Sequence, residues 1–98
     1  MSFRVSLDSS GDTPRCKVGG ILDFNNAREV LTGVGELVSA HSVLDIDLSD
    51  VTQSNSAGLA LLIEWLAMAK REGHTVTFHH IPDGLRQLAG VCQVDGLI

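Results

Sequence analysis

The segment over residues 57–72 constrains this chain most. Almost every residue in it is a good helix former, Asn55 or Ser56 can cap its start, Lys70 and Arg71 suit its negative end, and Gly73 stops it. Two apolar runs flank it: Val43, Leu44, Ile46 and Leu48 before, and Thr75, Val76, Thr77 and Phe78 after, the second reaching at most through His79 and His80. A strand, a helix of this length and a second strand close into a right-handed crossover with the strands parallel. The centre of the chain is therefore α/β.

The flanking segments extend that unit. Phe3, Val5 and Leu7 alternate with Arg4 and Ser6, the period of a half-buried strand, and Ser9, Ser10, Gly11 and Asp12 turn it into a hairpin. The second strand runs through Cys16, Val18 and Ile21, where Gly19 and Gly20 weaken or bulge it, so the sheet starts antiparallel. Asn25 or Asn26 caps a helix from Ala27 to about Ala40, with Val30, Leu31, Val34, Leu37 and Val38 at helical spacing. Gly33 and Gly35 each cost that helix about 1 kcal/mol against alanine. Residues 50–56 read as a loop. Pro82 and Asp83 open a last helix with Leu85, Leu88, Ala89 and Val91 or Cys92 on one side, followed by a short tail. The expectation is one α/β domain over residues 1–98, a mixed sheet of four to five strands covered by about three helices.

Charge narrows the function classes. The formal net charge is -5, and the 7 Lys and Arg are scattered, which disfavours nucleic acid and anionic membranes as partners. No apolar run is long enough to span a bilayer, so direct membrane insertion is not expected. The amino-terminal residues carry no export signal, which points to a cytoplasmic protein. Cys16 and Cys92 form no CxxC pair and read as reduced, small apolar fillers.

No catalytic constellation is present: no Walker loop, no GxGxxG after a strand, no HExxH and no GxSxG. His79 and His80, adjacent on a strand, point to opposite faces and cannot chelate one ion together, while His41 and His74 fall in loops. Asp45 and Asp47 share one face without a third ligand or a base, so they read as polar groups, with Asp47 anchoring the loop after it. The chain is expected to be no enzyme and to carry neither cofactor nor metal.

Two features point to binding. Asn55, Ser56, Ala57 and Gly58 stand at a helix start, where free N–H groups and the helix dipole favour an anion and small residues leave the backbone open. The alternative is that Asn55 or Ser56 merely caps the helix. Along that helix, Leu59, Leu62, Ile63 and Leu66 form a core-facing stripe, while Leu61, Trp65 and Met68 recur on nearly the opposite side. Tryptophan and methionine are enriched at interface centres, so this second stripe reads as a partner surface, able to pair with a second copy when the chain is isolated. Otherwise the C-terminal helix or tail covers it.

The order of elements, the run from Asp47 to Leu62 and the later Leu66, Ala67, Met68, Ala69, Lys70 and Arg71 resemble the STAS domains, named for sulfate transporters and anti-sigma factor antagonists. Within them the chain is most similar to the small cytoplasmic STAS subunits of Mla phospholipid-transport complexes. The resemblance implies an adaptor that binds the ATPase subunit of an ABC transporter and supports its assembly or activity. It also implies the alternative of an anti-sigma factor antagonist, partnered by an anti-sigma kinase and phosphorylated on the hydroxyl that matches Ser56. Asn55 stands where both groups usually carry aspartate, which bears on phosphorylation more than on docking.

Overall fold

The computed structural model describes residues 3–98; Met1 and Ser2, read above as part of an amino terminus without an export signal, lie outside the described residues. Strand β1 (Phe3–Asp8) turns back into β2 (Arg15–Leu22), and the two pair antiparallel with Ser6 opposite Lys17. Helix α1 (Ala27–Ala40) then carries the chain to β3 (Val43–Ser54), and α2 (Ser56–Glu72) carries it to β4 (Thr75–His79). Both of those connections produce parallel pairs, and the sheet order is β1-β2-β3-β4. The chain closes with α3 (Asp83–Val91) and a single 3-10 turn at Asp95–Leu97. Four strands and three helices match the α/β mixed sheet expected.

The two crossovers step across the sheet in the same direction, so right-handed connections place α1 and α2 on one face. Alternation shows this: Cys16, Val18, Leu44, Ile46 and Leu48 are buried beneath the helices, while Lys17, Asp45 and Asp47 occupy the opposite face. Among the described residues no helix lies over that second face. Among the described residues no helix is long and apolar enough to cross a membrane.

Two details differ from the sequence reading. Residues 50–54 belong to β3, because β2 continues beside them: Asp50 pairs with Gly19, Val51 with Gly20 and Ser54 with Leu22. The register shifts at Lys17/Gly19 and Gly20/Ile21 are the irregularity that the two glycines announce. In α3, Leu85 and Ala89 are buried, but Val91 and Cys92 are exposed, so Cys92 fills no core position, whereas Cys16 does. Burial pushes the Cys16 thiol up to about 11.

The stripe of Leu61, Trp65 and Met68 is also corrected. Leu61 and Trp65 are buried and Met68 is half-buried, and none of the three forms an open partner surface. The cover is α1: the Trp65 indole Nε1 approaches the Leu31 carbonyl at 3.4 Å, and Met68 Cε would meet a β-carbon on Gly35 at 2.8 Å. With glycine at position 35, α1 packs directly against the end of the Met68 side chain. Helix α2 is the middle helix of its layer, with the sheet beneath, α1 on one flank and α3 on the other, and therefore carries apolar residues on more than one side.

Candidate functional site

Parallel strands deliver their following loops to one end of a sheet, where α/β proteins build their sites. Here β2 and β3 deliver residues 23–26 and Asn55 to the same end. The first loop is locked by its own polar groups. Asp23 Oδ1 accepts from the N–H groups of Asn25 and Asn26 at 2.9 and 3.2 Å, Asn26 Oδ1 accepts from Asp23 N–H at 3.1 Å, and Asn26 Nδ2 donates to the Ile21 carbonyl at 2.6 Å. Asn26 is the residue preceding α1, yet its side chain serves the loop rather than the helix start. The outcome is a rigid turn that presents Phe24, 73% exposed, to solvent.

At the second loop Asn55 is the cap. Its Oδ1 accepts from Ala57 N–H at 2.9 Å, and its carbonyl accepts from Gly58 N–H at 2.9 Å. The Ala57 and Gly58 N–H groups, two of the donors that the sequence offers to an anion, are thus engaged within the chain. Ala57 and Gly58 are buried. A β-carbon on Gly58 would lie 3.2 Å from Ser54 Cβ and 3.3 Å from Leu85 Cδ2, so this glycine admits β3 and α3 to the helix rather than a partner. Ser56, the first residue of α2, and Asn55 are exposed.

Between the two loops lies an apolar groove of about 390 Å³, lined by Phe24, Ala27, Arg28, Leu31, Ala57, Ala60, Leu61 and Glu64. A shallower one of about 700 Å³ continues along α1 and α2 past Gly35 and Met68 and shares Leu31 and Glu64 with the first. The structure therefore brings Ser56, Ala57 and Leu61 to one end with Phe24, and sends Trp65 inward. Sequence reasoning missed Phe24. Its signal was an aromatic residue standing alone among Asp23, Asn25 and Asn26, turn residues that hold a side chain outside the core.

With this geometry in view, a family profile described as "Mlab, STAS domain" matches residues 5–98. The chain belongs to the STAS domain family. It is 33% identical over 91 residues to the Escherichia coli (strain K12) protein named "Intermembrane phospholipid transport system binding protein MlaB", covering 91% of this chain and 88% of that one. The Shigella flexneri protein of the same name matches equally. Among solved structures, an anti-sigma factor antagonist from Mycobacterium paratuberculosis superposes with a TM-score of 0.78 at 21% identity, over 99% of this chain and 83% of that one. That likeness shows the STAS fold.

The uncovered sheet face of this STAS domain holds a polar cluster. Arg15 lies 3.3 Å from Asp47 and 4.0 Å from Asp45, and Lys17 pairs with Asp50 at 3.5 Å. His79 Nε2 sits 3.2 Å from Asp45 Oδ1 but off the line of a hydrogen bond, so that contact is electrostatic and depends on protonation of the ring. His80 lies beyond the end of β4 with φ +57°, and this left-handed turn brings its Nδ1 to 3.1 Å from Asp47 Oδ1. The two rings therefore both meet aspartates of one face, contrary to the strand alternation expected of them. No cluster of three or more metal-ligating side chains exists among the described residues. Burial raises the Asp47 pKa, but the Ser49 N–H on its carboxylate, with His80 beside it, outweighs that and holds it at about 2.

Proposed function

We propose that this STAS domain is a non-catalytic adaptor in the cytoplasm that docks on the ATPase subunit of an ABC transporter for phospholipids, and so sits at the inner face of a membrane without entering it. The observation that carries this reading is Phe24, fixed outward by the Asp23 and Asn26 hydrogen bonds beside an apolar groove next to Ser56. An exposed aromatic on a rigid loop, next to a concave apolar surface, is the anatomy of an interface anchor. Resemblance over nine-tenths of the chain to a phospholipid-transport binding protein supplies the class of partner.

Titration calorimetry with the purified ATPase subunit tests it. Phe24→Asp weakens binding by about thirtyfold or more, as loss of a hot-spot aromatic does, and leaves the thermal midpoint of the free domain unchanged. Full binding by Phe24→Asp would remove the site from consideration.

A second reading rests on the exposed Ser56 hydroxyl at the start of α2. An anti-sigma factor antagonist would be phosphorylated there by its kinase. Radiolabel from ATP entering the wild type but not Ser56→Ala, in the presence of that kinase, is its signature.

A further inference from the structure

The sheet has an uncovered lateral edge at β1. Among the described residues this strand pairs only with β2, and Arg4, Ser6, Leu7 and Asp8 are exposed. Such an edge presents unpaired backbone N–H and C=O groups to any strand that fits, and no proline interrupts it.

The strand is complementary to itself. In an antiparallel pair of β1 strands with the two-fold axis on Ser6, Arg4 stands opposite Asp8 of the second copy, and Val5 stands opposite its Leu7. Both relations occur twice. Arg4, Ser6 and Asp8 lie on the uncovered face, and Phe3 and Val5 pack toward the helices, so charge meets charge on one face and apolar meets apolar on the other. The groups concerned are available. Arg4 lies over Gly19 and makes no ion pair among the described residues. Asp8 uses Oδ1 for the N–H and hydroxyl of Ser10, at 2.9 and 2.6 Å, which leaves Oδ2 without a hydrogen-bond partner among the described residues. Leu7, 39% exposed, would be covered.

We infer that the domain self-associates through β1, two copies pairing antiparallel about Ser6 into one continuous eight-stranded sheet. The interface is isologous, so it closes at the dimer. It leaves Phe24 and Ser56 at the strand ends free in both copies.

Sedimentation equilibrium over a range of concentration tests this, with circular dichroism confirming that every variant folds. The wild-type mass rises from monomer to dimer with concentration. Arg4→Asp places like charges opposite each other twice and holds the chain monomeric, as does Asp8→Arg. The combined variant restores the dimer, because the two-fold recreates each pair in reverse. A cross-link fixes the register. On the axis the two Ser6 α-carbons lie about 4.5–5.5 Å apart, within disulfide reach, so Ser6→Cys in a Cys92→Ser background forms a disulfide-linked dimer on mild oxidation. Buried Cys16 stays out of that chemistry. A wild type that is monomeric at every attainable concentration overturns the inference. So does a dimer that survives Arg4→Asp, which would run through another surface such as β4 or the α1–α2 groove, and so does a folded double variant that stays monomeric.

Discussion

Asp47 shows how much one carboxylate of the uncovered face contributes to the fold. Its folded pKa of about 2 lies below the ordinary 3.8: burial pushes it up, but the Ser49 hydrogen bonds and the His80 ring favour the anion and outweigh that. A depressed carboxylate contributes stability that is full above its unfolded pKa and is lost as pH falls through its folded one. The contribution, on the order of 2 kcal/mol, therefore drains away between about pH 4 and pH 2. Denaturant titrations across that window should show Asp47→Asn less stable than wild type at neutrality and the gap closing toward pH 2. A constant gap would mean that this titration is not coupled to folding. Trp65, the only tryptophan, makes a second prediction. Being fully buried, it should emit at short wavelength in the free domain and shift red only on unfolding, and Trp65→Ala should cost about 3–5 kcal/mol. Emission typical of exposed indole in the native domain would contradict the packing under α1. That Asp45 and Asp47 share a face was legible from the period of two. The meeting of His79 and His80 on that face was not, because it depends on where β4 ends and on one left-handed residue, and neither is written in the local pattern.

Helix α2 was legible as a helix to its caps: Asn55 closes the start, and Gly73, at φ +71°, ends it by donating back to Lys70. Its environment was not legible, since a second apolar stripe looks the same whether a partner or a neighbouring helix covers it. The cover came from α1, whose glycines lowered its apparent helix strength while permitting the approach. The two close-packing glycines should respond differently to substitution. At Gly35 a new β-carbon meets only the end of the flexible Met68 side chain, which can swing away, so Gly35→Ala gains helix propensity and should be near neutral in thermal denaturation. At Gly58 the neighbours are Ser54 Cβ, close to the backbone, and Leu85 on α3. Gly58→Val overfills that contact and should cost about 1–3 kcal/mol, with hydrogen exchange rising first in α3. Equal tolerance at both positions would show that β3, α2 and α3 are not tightly packed there. The carboxyl half of β3 was missed for a related reason: residues 50–54 pair on one side only, with β2, and their polar side chains face water, so no apolar alternation marks them as a strand.

At the scale of the whole molecule the topology was legible, because a crossover of fixed hand and a leading hairpin leave few sheets to choose from. What the sequence did not distribute was surface. The fold assigns the strand ends of β2 and β3 to Phe24, the uncovered face to an ion-pair cluster and the lateral edge of β1 to a self-complementary strand. A site at the strand ends and a site on the edge share no residue, and effects at sites without shared partners add. Docking and self-association should therefore be separable. Arg4→Asp should bind the ATPase subunit with wild-type affinity, and Phe24→Asp should dimerise as the wild type does, both read by calorimetry and sedimentation on the same preparations. If both surfaces are used together, the wild-type complex should contain two domains, each with its own ATPase subunit, and the Arg4→Asp complex half that mass. Loss of ATPase binding in a folded Arg4→Asp would mean that the edge itself is part of the docking surface, and the division of the molecule into two independent faces would fail.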